Sequence, residues 1–181
     1  GTKCAIFPPQ TNQIEDSFFS YEKKDADGRK YVGIFCPSSS SPQITLSKVI
    51  ASLLVNTKIF SQKCGKNHEI YDPYWTQLLY FNSIRELMTG ASLIFDYVDE
   101  EKNALYIKKG IDFGLTGNNN FYRKIDPRQV AELTSRQDSS EIPRILNRLF
   151  VSKSEEKNYP YDICLATNMI QVGIDIPRLS L

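Results

Sequence analysis

The sequence is poor in the residues that most often do chemistry by themselves. Its 181 residues include one histidine, His68, and one tryptophan, Trp75. Four cysteines, Cys4, Cys36, Cys64 and Cys164, form no Cys-x-x-Cys pair. A disulfide framework is unusual at this size and density, so a reducing, cytoplasmic setting is expected. Cys64-Gly65-Lys66-Asn67-His68 is the one Cys/His cluster; a structural zinc wants four ligands, so this reads as a polar loop and no metal is expected. A Ser-His-Asp or Cys-His nucleophile has no local support. Excess charge is lacking too. Lys plus Arg number 22 against 21 acidic residues, net +1. That excludes a strongly basic nucleic-acid coat but not a local basic groove. No run approaches the ~18–20 apolar residues of a bilayer-crossing helix. The apolar stretch Ala5-Ile6-Phe7 is too short for a signal peptide.

What remains is an ordinary globular composition, 41% hydrophobic and 24% charged, long enough for one domain. Residues 1–30 are mixed and polar and read as an extension or loop. Tyr31–Pro37 is a short apolar run ending at proline, the pattern of a buried strand. Pro42 is placed to start a helix, and Leu46, Val49, Ile50, Leu53 and Leu54 follow on one helical face. Trp75–Phe81 reads as a second strand. Ser83 then caps a helix, with Glu86 completing a capping box, and Ile84, Leu87, Met88, Ala91 and Phe95 fall at helical spacing. Residues 99–127, with three glycines and an Asn118-Asn119-Asn120 run, predict an irregular insertion. Arg128–Thr134 is a third strand candidate. Ser139 or Ser140 caps a helix carrying Ile142, Ile145, Leu146, Leu149 and Phe150. Tyr161–Ala166 is a fourth strand. This alternation predicts an α/β fold with a parallel sheet.

In such sheets chemistry gathers in the loops that leave the carboxyl ends of strands. Those loops are Pro37–Pro42, Phe81–Arg85, Thr134–Ser140 and Ala166–Arg178. Three of the four are rich in Ser, Thr, Asn and Arg, which can hold phosphate and are equally the common caps and turns of any α/β protein. Trp75, Tyr80 and Phe81 can stack on bases, but alternation within a strand favours core packing. Cys164 and Leu165 are expected to pack between sheet and helices.

The segment from Asp162 to Leu179 resembles motif V of superfamily-two helicases: a buried strand, Ala166-Thr167, five residues, then Gly173-x-Asp175-Ile176. Leu79–Leu87 is similar to motif IV, and Glu132-Leu133-Thr134-Ser135-Arg136 resembles the next strand-loop unit. The resemblance covers residues 75–181. The segments Tyr80-Phe81-Asn82-Ser83, Glu132–Arg136 and Ala166–Ile170 are also similar to those of large bacterial helicase-like proteins, among them the helicase component of DISARM anti-phage systems. The chain contains no Gly-x-x-x-x-Gly-Lys-[Ser/Thr] phosphate loop and no Asp-Glu-x-His or Asp-Glu-x-Asp magnesium motif. It stops before the arginine-finger segment of that family.

The resemblance therefore implies most of a second RecA-like domain over 31–181, cut short on its C-terminal side. It implies one wall of a cleft for ATP with Mg²⁺, the rest supplied by a first RecA-like domain, and part of a groove for DNA or RNA. By itself such a chain should not hydrolyse ATP. Thr167 would contact a strand phosphate, or cap a turn. Asn82, Ser83 and Arg85 would line the groove, although an exposed surface arginine explains Arg85 equally. Ser135 and Arg136 would add phosphate contacts, with a cap as the other reading of Ser135. Gly173 and Asp175 would face the nucleotide, or serve as a turn glycine and an N-cap. No residue is expected to be catalytic here. The competing function is a non-catalytic α/β interaction scaffold derived from a degenerate motor.

Overall fold

The computed structural model describes residues 25, 30–36, 41–111, 123–153, 159–167, 176, 178 and 179. The chain divides into two compact units, Gly1–Phe35 and Cys36–Leu181. In the first, the described residues form no strand, so the strand expected from Tyr31 onward is not formed. An apolar run becomes a strand only where a neighbour completes its ladder, and no described strand pairs with it.

The second unit is an α/β layer structure. Helix α1 is Pro42–Cys64 and α2 is His68–Tyr71; strand β1 is Gln77–Tyr80. Helices α3 (Ile84–Asp96) and α4 (Val98–Lys108) follow, then β2 (Val130–Leu133), α5 (Glu141–Phe150) and β3 (Ile163–Ala166). The three strands form one parallel sheet in the order β1-β3-β2. Tyr80 and Leu133 both stand beside Ala166, so all three strands finish level. β3 lies between two partners, and all four of its residues are buried.

Strand alternation sends side chains to two separate layers. Ile163 and Leu165 join Ile50, Ala51 and Leu54 of α1, Leu87 and Ile94 of α3, and Val98 of α4 on one face. Cys164 and Ala166 join Ala131, Leu133, Ile145 and Leu149 on the other, under α5. Covering both faces is what a parallel sheet requires, and it explains why β3 is uniformly apolar. Burial pushes the Cys164 thiol up to about 12, so it packs as a small apolar group.

Four expectations need correction. The buried stripe of α3 is Leu87, Gly90 and Ile94, whereas Met88 and Phe95 are exposed. Phe81 takes the space beside Gly90: a Cβ there would lie 2.7 Å from the ring's Cε1. The residue that organises the start of α5 is Asp138, whose carboxylate accepts from the Ser140 N–H at 3.1 Å; Ser140 makes no side-chain cap bond. Residues 98–108, expected to be irregular, form α4, with Val98, Lys102 and Tyr106 buried at one-turn spacing. Its acidic first turn and a buried lysine hid the periodicity. Lys102 is wholly buried and pairs with Asp99. Residues 112–122 of that expected insertion lie outside the described residues. Finally, α1 is long and apolar enough to cross a membrane by length and composition alone. Here its apolar face lies in the core, with Ile50, Ala51, Leu54 and Val55 buried.

Candidate nucleic-acid interface at the carboxyl edge of the sheet

Because the sheet is parallel and its strands end level, the loops after β1, β2 and β3 emerge along one edge. Backbone bonds continue the ladder one step beyond it. Phe81 N donates to Ala166 O at 2.9 Å, and Thr167 N donates to Leu133 O at 3.3 Å. Asn82 and Ser83, Ser135 and Arg136, and Thr167 thus leave neighbouring strands side by side, with Thr167 from the central one.

Each loop is held differently. Ser83 is the N-cap of α3: its Oγ accepts from Glu86 N at 3.2 Å, while Glu86 Oε2 accepts from Asn82 N at 3.2 Å. This is the expected capping box, with its return bond one residue early. Ser83 therefore serves the fold, and it is exposed together with Asn82. Arg85 occupies the second position of α3 and is exposed. Among the described residues its guanidinium has no hydrogen bond or ion pair. A cation in the first helical turn opposes the helix dipole by ~0.3–1 kcal/mol, so Arg85 does not stabilise α3.

After β2, Thr134 is fully buried and its hydroxyl donates to Glu132 Oε1 at 2.6 Å. Glu132 also receives Arg136 in a two-pronged pair, with NH2 at 2.9 Å from each carboxylate oxygen. Arg136 N donates to Thr134 Oγ1 at 3.3 Å. Arg136 is thus aimed by its own strand and its charge is shared, while Ser135 is exposed with no cap bond. The Glu132–Thr134–Arg136 set sits within the quoted motif, but the role of Glu132 escaped the sequence reading. Acidic residues at strand positions carry no signature that separates an orienting partner from a solvated one.

Thr167 is buried to 8% exposure, and among the described residues its hydroxyl has no hydrogen-bond partner. Gly173 and Asp175 lie outside the described residues. The aromatic candidates separate: Tyr80 is exposed and Phe81 packs on Gly90, both near this edge, whereas Trp75 is buried ahead of β1 at the opposite end of the sheet. This edge therefore combines exposed amide and hydroxyl donors, one uncompensated guanidinium and one partly compensated guanidinium. That donor set suits phosphate oxygens and carries no base-reading geometry.

No family profile matches the chain. It is similar to the DISARM protein DrmA of Bacillus paralicheniformis, with 36% identity over 180 residues. The match covers 97% of this chain and 14% of that relative, so the chain spans about a seventh of the relative's length. The expected likeness to a DISARM component is found.

Proposed function

We propose that this chain is part of the second motor domain of a helicase-like DISARM component. In this reading it supplies one wall of an ATP cleft and part of a groove for a nucleic-acid strand, in the cytoplasm. The observation that carries it is the alignment of three strand ends, which sets Asn82, Ser83, Arg85, Ser135, Arg136 and Thr167 on one edge of a parallel sheet. Open α/β sheets bind ligands at that edge. The likeness to a DISARM protein supports the setting, and the resemblance to motifs IV and V supports the motor.

Within that reading Arg85 and Thr167 bind strand phosphates, and Arg136 is held by Glu132 to do the same. Asp175 and Gly173 take the nucleotide side on the strength of the motif resemblance. ATP with Mg²⁺ would be held mainly by a first RecA-like domain, because phosphoryl transfer needs phosphate-loop and magnesium-binding groups that are not in this sequence. The deciding experiment measures single-strand affinity of the full-length protein and its Arg85→Ala and Thr167→Ala variants at low salt. Weaker binding with unchanged melting temperature supports the reading. Unchanged affinity in both variants favours the scaffold.

A further inference from the structure

The amino edge of the same sheet carries a second concave surface. A cavity of about 240 Å³ is walled by Lys58, Trp75, Arg123, Lys153, Tyr159 and Asp162. Four cations line it from distant parts of the chain: Lys58 of α1, Arg123 and Lys124 of the segment entering β2, and Lys153 of the turn after α5. Arg123 is 6% exposed. Its Nε donates to Asp162 Oδ1 at 3.1 Å, and its NH2 donates both to that oxygen and, at 2.8 Å, to Trp75 O. Among the described residues, the buried NH1 has no hydrogen-bond partner. Leaving such a donor unmet costs ~1–3 kcal/mol, more for a charged group.

The charge is as unbalanced as the hydrogen bonding. Among the described residues, Asp162 is the one carboxylate in the cavity wall, and Arg123 already occupies it. Lys153 rests its ammonium on two rings, 3.8 Å from the Tyr159 centroid and 4.6 Å from that of Trp75. Arg123 lies 4.0 Å from the Trp75 centroid. Burial and then the Arg123 charge lower the Lys58 pKa, while burial lowers that of Lys153 to about 8. Among the described residues, these like charges converge on one lining carboxylate that Arg123 already pairs with, in a place where the fold gains nothing from their mutual approach.

We propose that this cavity binds a phosphate monoester group, held by Lys58, Arg123 and Lys153. Its volume is below the ~300–1,000 Å³ of sites that enclose drug-sized ligands, so it suits a phosphate head rather than a whole nucleotide. A monoester brings close to two negative charges and three free oxygens at neutral pH. A strand phosphodiester brings one charge and two. Three converging cations with an unused buried guanidinium donor match the monoester. Trp75 and Tyr159 wall the site and leave the bound group partly shielded from water, where charge-assisted bonds are strongest. The inference is independent of the motor reading, since it uses the other edge of the sheet.

Trp75 is the sole tryptophan, so its emission reports directly on this cavity. The 181-residue chain is titrated with inorganic phosphate and with glycerol phosphate at constant ionic strength, against sodium chloride. A saturable change with either phosphate and none with chloride is expected. Tighter glycerol phosphate binding assigns the site to an organic ester, and equal binding assigns it to the free ion. Lys58→Gln and Lys153→Gln each weaken binding roughly tenfold, the size of one charge-assisted hydrogen bond. Both variants leave the Arg123–Asp162 pair intact and keep the melting temperature at or above that of the parent chain. Arg123→Gln is the stronger test but removes a buried pair, so the two lysine variants carry the decision if it fails to fold. An equal response to chloride, or unaltered binding in both lysine variants, overturns the proposal. So does competition by an oligonucleotide without a terminal phosphate at the same phosphate concentration.

Discussion

Arg178 reaches back 106 positions to Asp72: its NH1 lies 3.1 Å from the Asp72 carbonyl oxygen and 3.4 Å from Oδ1. Both side chains are 9% exposed. The same carboxylate oxygen accepts from Lys153 N at 2.7 Å. Arg178 also donates to Leu149 O at 2.9 Å and to Thr76 Oγ1 at 2.6 Å. One buried guanidinium thus ties the segment around Arg178 to the entry of β1 and the exit of α5.

This hub should be costly to break from either side. Removing one member of a buried pair leaves the other charge uncompensated, at ~3–5 kcal/mol. Asp72→Ala is expected to destabilise the chain by about that amount. Arg178→Met, which keeps some of the packing and leaves only the carboxylate, should cost less, since Lys153 N still satisfies it. Urea unfolding of both variants measures the difference; equal stability to the parent chain would show that Arg178 does not anchor the segment.

At the carboxyl edge, Arg85 tests the proposed groove because, among the described residues, its guanidinium has no hydrogen bond or ion pair. Arg85→Ala should leave the melting temperature unchanged or slightly raised, given its unfavourable place at the start of α3. In the full-length protein it should weaken single strands uniformly across sequences. The slope of log affinity against log salt should fall by about one, the signature of one lost phosphate contact. A filter-binding series over salt concentration reads both quantities.

Gly90→Ala should be destabilising although alanine is the better helix former. The gain in helix propensity is ~1 kcal/mol. Against it, the added Cβ would lie 2.7 Å from Phe81 Cε1. Overpacking of that kind costs ~1–3 kcal/mol. Because Phe81 directly precedes Asn82 and Ser83, the same variant should shift their amide resonances in an NMR spectrum. An increase in stability would show that the Phe81 ring moves aside freely.

The amino-edge cavity predicts a pH dependence of stability. Lys153 faces the cations Lys58 and Arg123 and the carboxylates Asp162 and Asp72, with Tyr159 and Trp75 against its ammonium. Its folded pKa of about 8 lies below the ordinary value of 10.5. Between those values the unfolded chain binds more protons than the folded one, so the Lys153 contribution to stability rises with pH across that window. Below pH 8 the full penalty of the buried charge is present. Lys153→Met should therefore be more stable than the parent chain at pH 7, with the gap closing toward pH 10. Chemical denaturation of both proteins at several pH values checks the sign, which is opposite if Lys153 gains a carboxylate partner on folding.

Most of the element order from β1 onward, and the polar loops that follow the strands, were legible because both are local. Ser83 and Glu86 sit three residues apart and cap one helix turn; Val130–Leu133 and Ile163–Ala166 announce strands by composition and spacing. Once two strands run parallel with helices between them, their following loops must share an edge. The α4 helix was not legible because its buried stripe is only Val98, Lys102 and Tyr106, and a lysine at a core position erases the apolar period. The run from Tyr31 misled for the opposite reason: its composition suits a strand, but pairing needs a neighbour that composition does not supply.

The sequence by itself thus determined an α/β chain with polar loops after its strands, because caps, turns and periodicity are free-energy choices made within a few residues. Tertiary structure decided the rest. It put β3 at the centre of the sheet, joined Arg178 to Asp72, and brought Lys58, Arg123 and Lys153 around Trp75. Those groups meet only when distant segments dock on a shared core, and contacts between residues so far apart leave no periodic mark along the chain.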